Sequence, residues 1–184
     1  EQHQEIPDGL AALGYDAARI VCDAIGRANS VAGADIAAEL AKFLPATMIA
    51  ASDDAEFARF IQQLFSTSWL RVYTNPDVVG CEVAGALKNV MAIASGMADG
   101  LGTGDNTRAA VITRGLAEGA RLGVAQGAHP DTFLGLCGVG DMMLTANSLQ
   151  SRNTSLGFAL GEGRKAAEVL ASRKEVTEGA HSAA

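Results

Sequence analysis

Three places in this 184-residue chain hold side chains whose type and setting could do chemistry. The first is Lys88, the one cation in the apolar stretch 82–97, EVAGALKNVMAIASGM. Burying an ammonium is costly unless it is paired, hydrated or deprotonated. A lysine so placed can have its pKa drawn towards the range useful for proton transfer. The other reading open to Lys88 is a snorkelling side chain whose tip reaches water. The second place is Asp141, the one carboxylate in GVGDMML, 138–144. Buried there it would want a cation, and a lysine would serve; as a helix N-cap it would need none. The third is Ser151-Arg152-Asn153 at a loop-to-helix junction. A hydroxyl, a guanidinium and an amide beside helix N–H groups would make a phosphate clamp, unless Ser151 only caps the helix and Arg152 is solvated.

The glycine-rich loop 100–108, GLGTGDNTR, enters a helix and invites a similar choice. Its amides could hold an anion, or Asn106 or Thr107 could simply cap the helix. It is not a P-loop, and no G-x-G-x-x-G occurs in the chain. Arg108, Arg114 and Arg121 read as surface charges.

These residues need elements to position them. Val83, Leu87, Val90, Ala94 and Met97 recur at steps of three and four, so 77–100 is expected to be a helix. A second row, Glu82, Gly85, Asn89, Ala92, Gly96 and Asp99, is small or polar and would admit another backbone. Such a helix belongs at the centre of a domain. Further helices are expected at 107–123, 130–136, 138–145, 153–161 and 166–172, with no strand signal among them. Ahead of them, 45–51 reads as a strand, and Ser52 or Asp53 as the cap of a helix through 66. Phe57, Phe60, Ile61 and Leu64 form that helix's expected core stripe. A second strand, 69–74, closes at Asn75-Pro76. This is one α/β unit, too small alone for a stable sheet. Residues 1–8 read as frayed, followed by helices at 9–28 and 35–43, the latter capped by Asp35. The fold class is therefore mainly α: an all-helical part, 77–184, preceded by a short strand–helix–strand unit, 43–76, and an N-terminal helical segment, 1–42.

Composition narrows the function. At 48% hydrophobic and 19% charged the chain is globular. A net charge of −7 argues against nucleic acid or an anionic membrane as partner. Cys22, Cys81 and Cys137 form neither a disulfide framework nor a CxxC site. His3, His129 and His181 share no metal-ligand spacing, so no metal is expected. The cysteine usage reads as a reducing, cytoplasmic compartment. With no leader and no clean run of roughly 18 apolar residues, no membrane span is expected.

From about residue 38 onward the chain resembles bacterial NAD(P)-dependent glycerol-3-phosphate dehydrogenase. The resemblance rests on LPATMIAASDD, LRVYTNPDVVGCEVAGALKNVMAIASGMADGLGTGDNTRAA, ITRGLAEGARLGVAQGA, GVGDMMLT, SLQSRN and EGAHSA, in order. It implies an all-helical substrate domain preceded by the last strand–helix–strand portion of a nucleotide-binding domain. By the same resemblance Lys88, in ALKN, is the catalytic lysine that handles the proton of the substrate's C2 oxygen. Asp141 lies near that lysine and the substrate. Ser151, Arg152 and Asn153 grip the substrate phosphate, Arg152 also approaches the dinucleotide, and Glu178 contacts the cofactor. The implied reaction is hydride transfer between NAD(P) and dihydroxyacetone phosphate or glycerol 3-phosphate, a cytoplasmic step of phospholipid biosynthesis. The family's opening strand, glycine-rich turn and helix are not matched here, nor is its other substrate-binding lysine. NAD(P) is accordingly expected not to bind this chain alone.

Residues 8–42, with the pattern GYDAARIV…DAI.RA.S, are similar instead to a helical segment of periplasmic amino-acid-binding proteins of the leucine/isoleucine/valine type. The two resemblances suggest a chimera, recombined or engineered. Three functional expectations follow: a truncated substrate domain inactive by itself, an enzyme that rebuilds its nucleotide site as a homodimer or with a partner chain, or a composite fold with no selected activity.

Overall fold

The computed structural model describes residues 42, 44–149, 151–172 and 177–182, with backbone alone at 178 and 181. The helices expected in 9–28 and 35–43, and the Asp35 cap, lie outside the described residues. The elements run β1 (Ala46–Ala51), α1 (Ala55–Phe65), β2 (Leu70–Asn75), α2 (Val78–Gly100), α3 (Asp105–Ala125), a 3-10 turn (Pro130–Leu134), a π turn (Leu136–Gly140), α4 (Asp141–Ala146), α5 (Arg152–Gly161), α6 (Ala166–Ala171) and α7 (Glu178–Ser182). The protein is mainly helical, as its sequence predicts.

β1 and β2 pair in parallel, from Ala46 opposite Leu70 to Ala51 opposite Asn75. The intervening α1 is capped by Asp54, not by Ser52 or Asp53. The Asp54 carboxylate accepts the N–H groups of Glu56 and Phe57 at 2.9 and 3.0 Å, while Ser52 Oγ accepts the Asp54 N–H one step earlier. Of the expected core stripe of α1, Ile61 and Leu64 are half-buried and the two phenylalanines are not. Phe57 and Phe60 are each 54% exposed, and Ala58 is the buried residue of this helix. A two-stranded ribbon covers only a narrow line of a helix, and the smallest side chain takes it. Gln62 Nε2 staples α1 to β2 through the Val72 carbonyl at 2.7 Å.

At the junction Asn75 accepts the Asp77 N–H at 2.9 Å, and Asp77 then caps α2 by accepting the Gly80 N–H at 2.8 Å. α2 is the hub of the helical part and packs against α3, α4, α5 and α7. Its large apolar residues are not its deepest ones: Val83, Leu87 and Val90 are half-buried, and Met97 is exposed. The buried positions are Gly80, Ala84, Ala92, Ser95, Gly96 and Ala98. Small residues win because α5 comes in backbone to backbone. A Cβ on Gly96 would stand 2.1 Å from the Thr154 carbonyl oxygen, and one on Gly157 would stand 2.0 Å from that of Ile93. The close approach runs along the second half of the small-residue row; at Gly85 a Cβ would meet open space.

By length and composition alone α2 would pass as a membrane-crossing helix. It also carries Glu82, Lys88 and Asp99 and is wrapped by four other helices, which is how the central helix of a water-exposed domain is built. α3 starts from Gly104, at φ +85°, with no side-chain cap from Asn106 or Thr107. Arg108 is not a free surface charge: it bridges Asp99 at 3.1 Å and Asp105 at 2.6 Å, fastening the loop between α2 and α3. Arg114 and Arg121 do lie on the surface, both beside Glu118.

Candidate functional site

Lys88 and Asp141 come together as a hydrogen-bonded ion pair, Nζ to Oδ2, although 53 positions separate them. The side chains are 13% and 27% exposed. Of the two readings of Lys88, pairing holds and snorkelling does not. Asp141 likewise is no N-cap, because α4 begins without a side-chain cap bond.

Local structure explains the meeting. Lys88 projects from the middle of α2, one turn from Ala84, which packs with Phe133 and Ala128, and near Met91, which packs with Ile112, Met142 and Ala146. Asp141 follows directly on the π turn, where the Gly138 and Gly140 N–H groups both reach the Gly135 carbonyl at 3.2 Å. Met142, the next residue, is 3% exposed and anchors α4 in that second cluster. Two packed hydrophobic contacts thus aim a cation and a carboxylate at each other.

The Ser-Arg-Asn motif lies at the start of α5. Ser151 is buried and caps the helix by accepting the Thr154 N–H at 3.3 Å. Arg152 is half-buried in the first turn. Asn153, at 4% exposure, donates from Nδ2 to Asn89 Oδ1 at 3.0 Å and accepts the Gly179 N–H on Oδ1 at 3.0 Å. Its carboxamide is therefore a tie between α2, α5 and α7. Glu178 stands at the head of α7, its side chain outside the described residues. Lys88's neighbour Asn89, the Ser-Arg-Asn motif and the segment holding Glu178 meet at the middle of α2, joined through Asn153.

Asn89 escaped the sequence reading as a site residue, although its place beside Lys88 on the polar row was the available signal. Thr177 gave no signal at all. It is 3% exposed, and its Oγ1 has no hydrogen-bond partner among the described residues. A cavity of about 680 Å³ opens elsewhere, between Pro45, Ser68, Trp69, Arg71 and Leu144, and none of the candidate site residues lines it. Among the described residues no cluster of histidine, cysteine, aspartate or glutamate is placed to hold a metal.

At the N-terminal end of α2, burial pulls the Asp77 carboxyl up. The Thr132 hydroxyl, the Gly80 and His129 N–H groups and the His129 charge outweigh that and hold it below its ordinary value. These contacts, at 2.6 Å from Thr132 and 2.8 Å from His129, lash the 3-10 turn to α2. The turn that precedes Asp141 thereby has a fixed base.

Residues 77–184 match the family described as NAD-dependent glycerol-3-phosphate dehydrogenase C-terminus. A glycerol-3-phosphate dehydrogenase [NAD(P)+] of Geobacter sulfurreducens is 48% identical over 177 residues, 96% of this chain and 53% of the relative. One from Staphylococcus epidermidis is 51% identical over 154 residues, 84% of this chain and 46% of the relative. Among solved structures, glycerol-3-phosphate dehydrogenase from Coxiella burnetii superposes with a TM-score of 0.75 at 41% identity, over 79% of this chain and 45% of that one. The Saccharomyces cerevisiae enzyme gives 0.69 at 26% identity, over 78% and 44%. The chain spans about half the length of the curated relatives it matches. The helical architecture, the extent of the family match and the similarity to solved dehydrogenases agree, and the chain belongs to the NAD-dependent glycerol-3-phosphate dehydrogenase family, whose C-terminal domain it contains.

Proposed function

We propose that 77–184 form the substrate and proton-handling half of a glycerol-3-phosphate dehydrogenase that interconverts dihydroxyacetone phosphate and glycerol 3-phosphate. The observation that carries this reading is the half-buried Lys88–Asp141 pair beside the Asn89–Asn153–Gly179 tie. Lys88 donates a proton to the C2 oxygen as it becomes an alkoxide, a role worth about 10²–10⁴-fold. Asp141 keeps the lysine aimed. Arg152 and the N–H groups at the head of α5 take the substrate phosphate, with Ser151 and Asn153 shaping that end of the helix. NAD(P)H supplies the hydride when bound. Arg152 and Glu178 are the residues assigned to its contact, and the pyrophosphate needs a glycine-rich turn that 1–184 does not contain. This chain alone is therefore expected to bind NAD(P) poorly and to turn over little.

The three-part division at 42 and 76 belongs to the same proposal. The Geobacter match covers 96% of the chain, and so extends into 1–42. That extent favours a dehydrogenase origin for much of the segment over a borrowed binding-protein helix. The working compartment is the cytoplasm. A second reading, a homodimer that completes its sheet, is favoured by the two-stranded β1–β2 ribbon and the exposed Phe57 and Phe60.

Calorimetric titration with glycerol 3-phosphate tests the substrate half: weak binding is expected, and its loss in Arg152→Ala. Binding unchanged in that variant removes the clamp. NADH and NADPH oxidation with dihydroxyacetone phosphate, with Lys88→Ala as control, tests the rest. Turnover that vanishes in the control would show a nucleotide site rebuilt between chains and bring the homodimer forward.

A further inference from the structure

Cys81 and Cys137 are distant in sequence and adjacent in space. Cys81 lies in the first turns of α2, and Cys137 is the second residue of the π turn. The two thiols stand 3.5 Å apart, with Cys81 donating to Cys137 and Cys137 donating to the Thr132 carbonyl at 3.4 Å. Both are free and half-buried. Their positions mirror the ion pair: Cys81 sits two turns before Lys88 on α2, and Cys137 sits four residues before Asp141. One pair of segments therefore carries two cross-links, one ionic and one that is a thiol pair.

We propose that Cys81 and Cys137 form a reversible disulfide that fastens the Asp141-bearing turn to α2 and so makes the Lys88–Asp141 geometry sensitive to thiol redox state. The co-reactant is a low-molecular-weight disulfide such as oxidised glutathione. The Cys137 thiolate attacks one of its sulfurs, forming a mixed disulfide and releasing one thiol. Cys81 then gives up its proton and attacks the Cys137 sulfur, releasing the second thiol. The protein loses two electrons and two protons, and the small disulfide is reduced to two thiols.

Burial, the hydrogen bond and charge of Cys137, and Asp77 push the Cys81 thiol up to about 12, which makes it the second attacker. Once Cys137 is in a mixed disulfide, two of those influences are gone. Closing the bond brings the sulfurs from 3.5 Å to about 2.05 Å. α2 is held by four helices, so the π turn is the part that moves, and Asp141 is joined directly to it. Neither thiol takes part in the reaction proposed above.

The test equilibrates the full chain in glutathione buffers from reduced to oxidised, quenches by alkylation and maps the peptides by mass spectrometry. The expected result is a Cys81–Cys137 linked peptide in monomeric chain, absent from Cys81→Ser and from Cys137→Ser. Amides of 136–146 should then exchange with deuterium on the order of tenfold more slowly when oxidised. Mapping the unsubstituted chain decides the bond by itself if a variant fails to fold, and it separates this pair from Cys22. The proposal is overturned if both thiols stay alkylatable throughout, or if Cys137 stops at a glutathione adduct. It is equally overturned if the bond forms while exchange across 136–146 is unchanged.

Discussion

The α2–α5 seam and the α1–ribbon interface are both helix packings, and they are built in opposite ways. At the seam, glycines let two backbones touch, so the buried surface belongs to Gly96, Gly157 and their alanine and serine neighbours. At the ribbon, one alanine is buried while two phenylalanines face outward. The contacts of α1 run chiefly to β1 and β2. The seam is closed by backbone contact; the ribbon, among the described residues, leaves its helix largely uncovered. The candidate site sits on the seam side, and its precision is inherited from that rigidity.

The comparison breaks if the seam tolerates bulk. Gly96→Ala drives a methyl into the Thr154 carbonyl and should cost about 3 kcal/mol, read as a fall in melting temperature of roughly 6–12 °C. A loss no larger than that of a surface change would dissolve the distinction. Lys88→Met leaves the Asp141 carboxylate without its cation. Because the pair is partly wet, about 1–3 kcal/mol is expected in denaturant titration, with part recovered in Lys88→Met/Asp141→Leu.

Asp77→Ala removes a cap and two ties to the turn, about 1–2 kcal/mol. Its folded carboxyl lies below the unfolded value near 3.9, so its contribution is present above that pH and is lost as pH falls through the folded value. Melting curves of wild type and variant should therefore converge at the acid end; a gap that widened there would reverse the assignment. Phe60→Gln, on the ribbon side, should change stability by no more than about 0.5 kcal/mol. A larger loss would mean the phenylalanine face is covered in solution, which sedimentation would register as self-association.

The sequence read α2 well because periodicity over a long helix is local information. It left open which face lies deepest, but the small row it expected to admit another backbone holds Ala92 and Gly96, both buried, with Gly96 against the α5 backbone. The cap of α1 slipped by one or two residues within Ser52-Asp53-Asp54, where all three types can cap. Local reading left Lys88 and Asp141 each with two fates, and only three-dimensional proximity chose between them. The family resemblance had paired them in advance. Asn153, which its motif places at the substrate phosphate, is also a structural tie whose partners, Asn89 and Gly179, lie 64 and 26 positions away. Cys81 and Cys137, 56 apart, were invisible as a pair for the same reason.

The π turn has a consequence for how this sequence can change over time. A π turn holds one residue more than an α turn needs, and Asp141 is read out immediately after it. Deleting any residue of 136–140 would tighten the turn and swing the carboxylate by roughly 100° around the helix axis, away from Lys88. Loop 102–104 carries two glycines at positive φ with open space around them, and a change in its length would act on the Arg108 bridges to Asp99 and Asp105 rather than on Asp141. Length, more than residue identity, is what descendants of this chain must conserve ahead of Asp141.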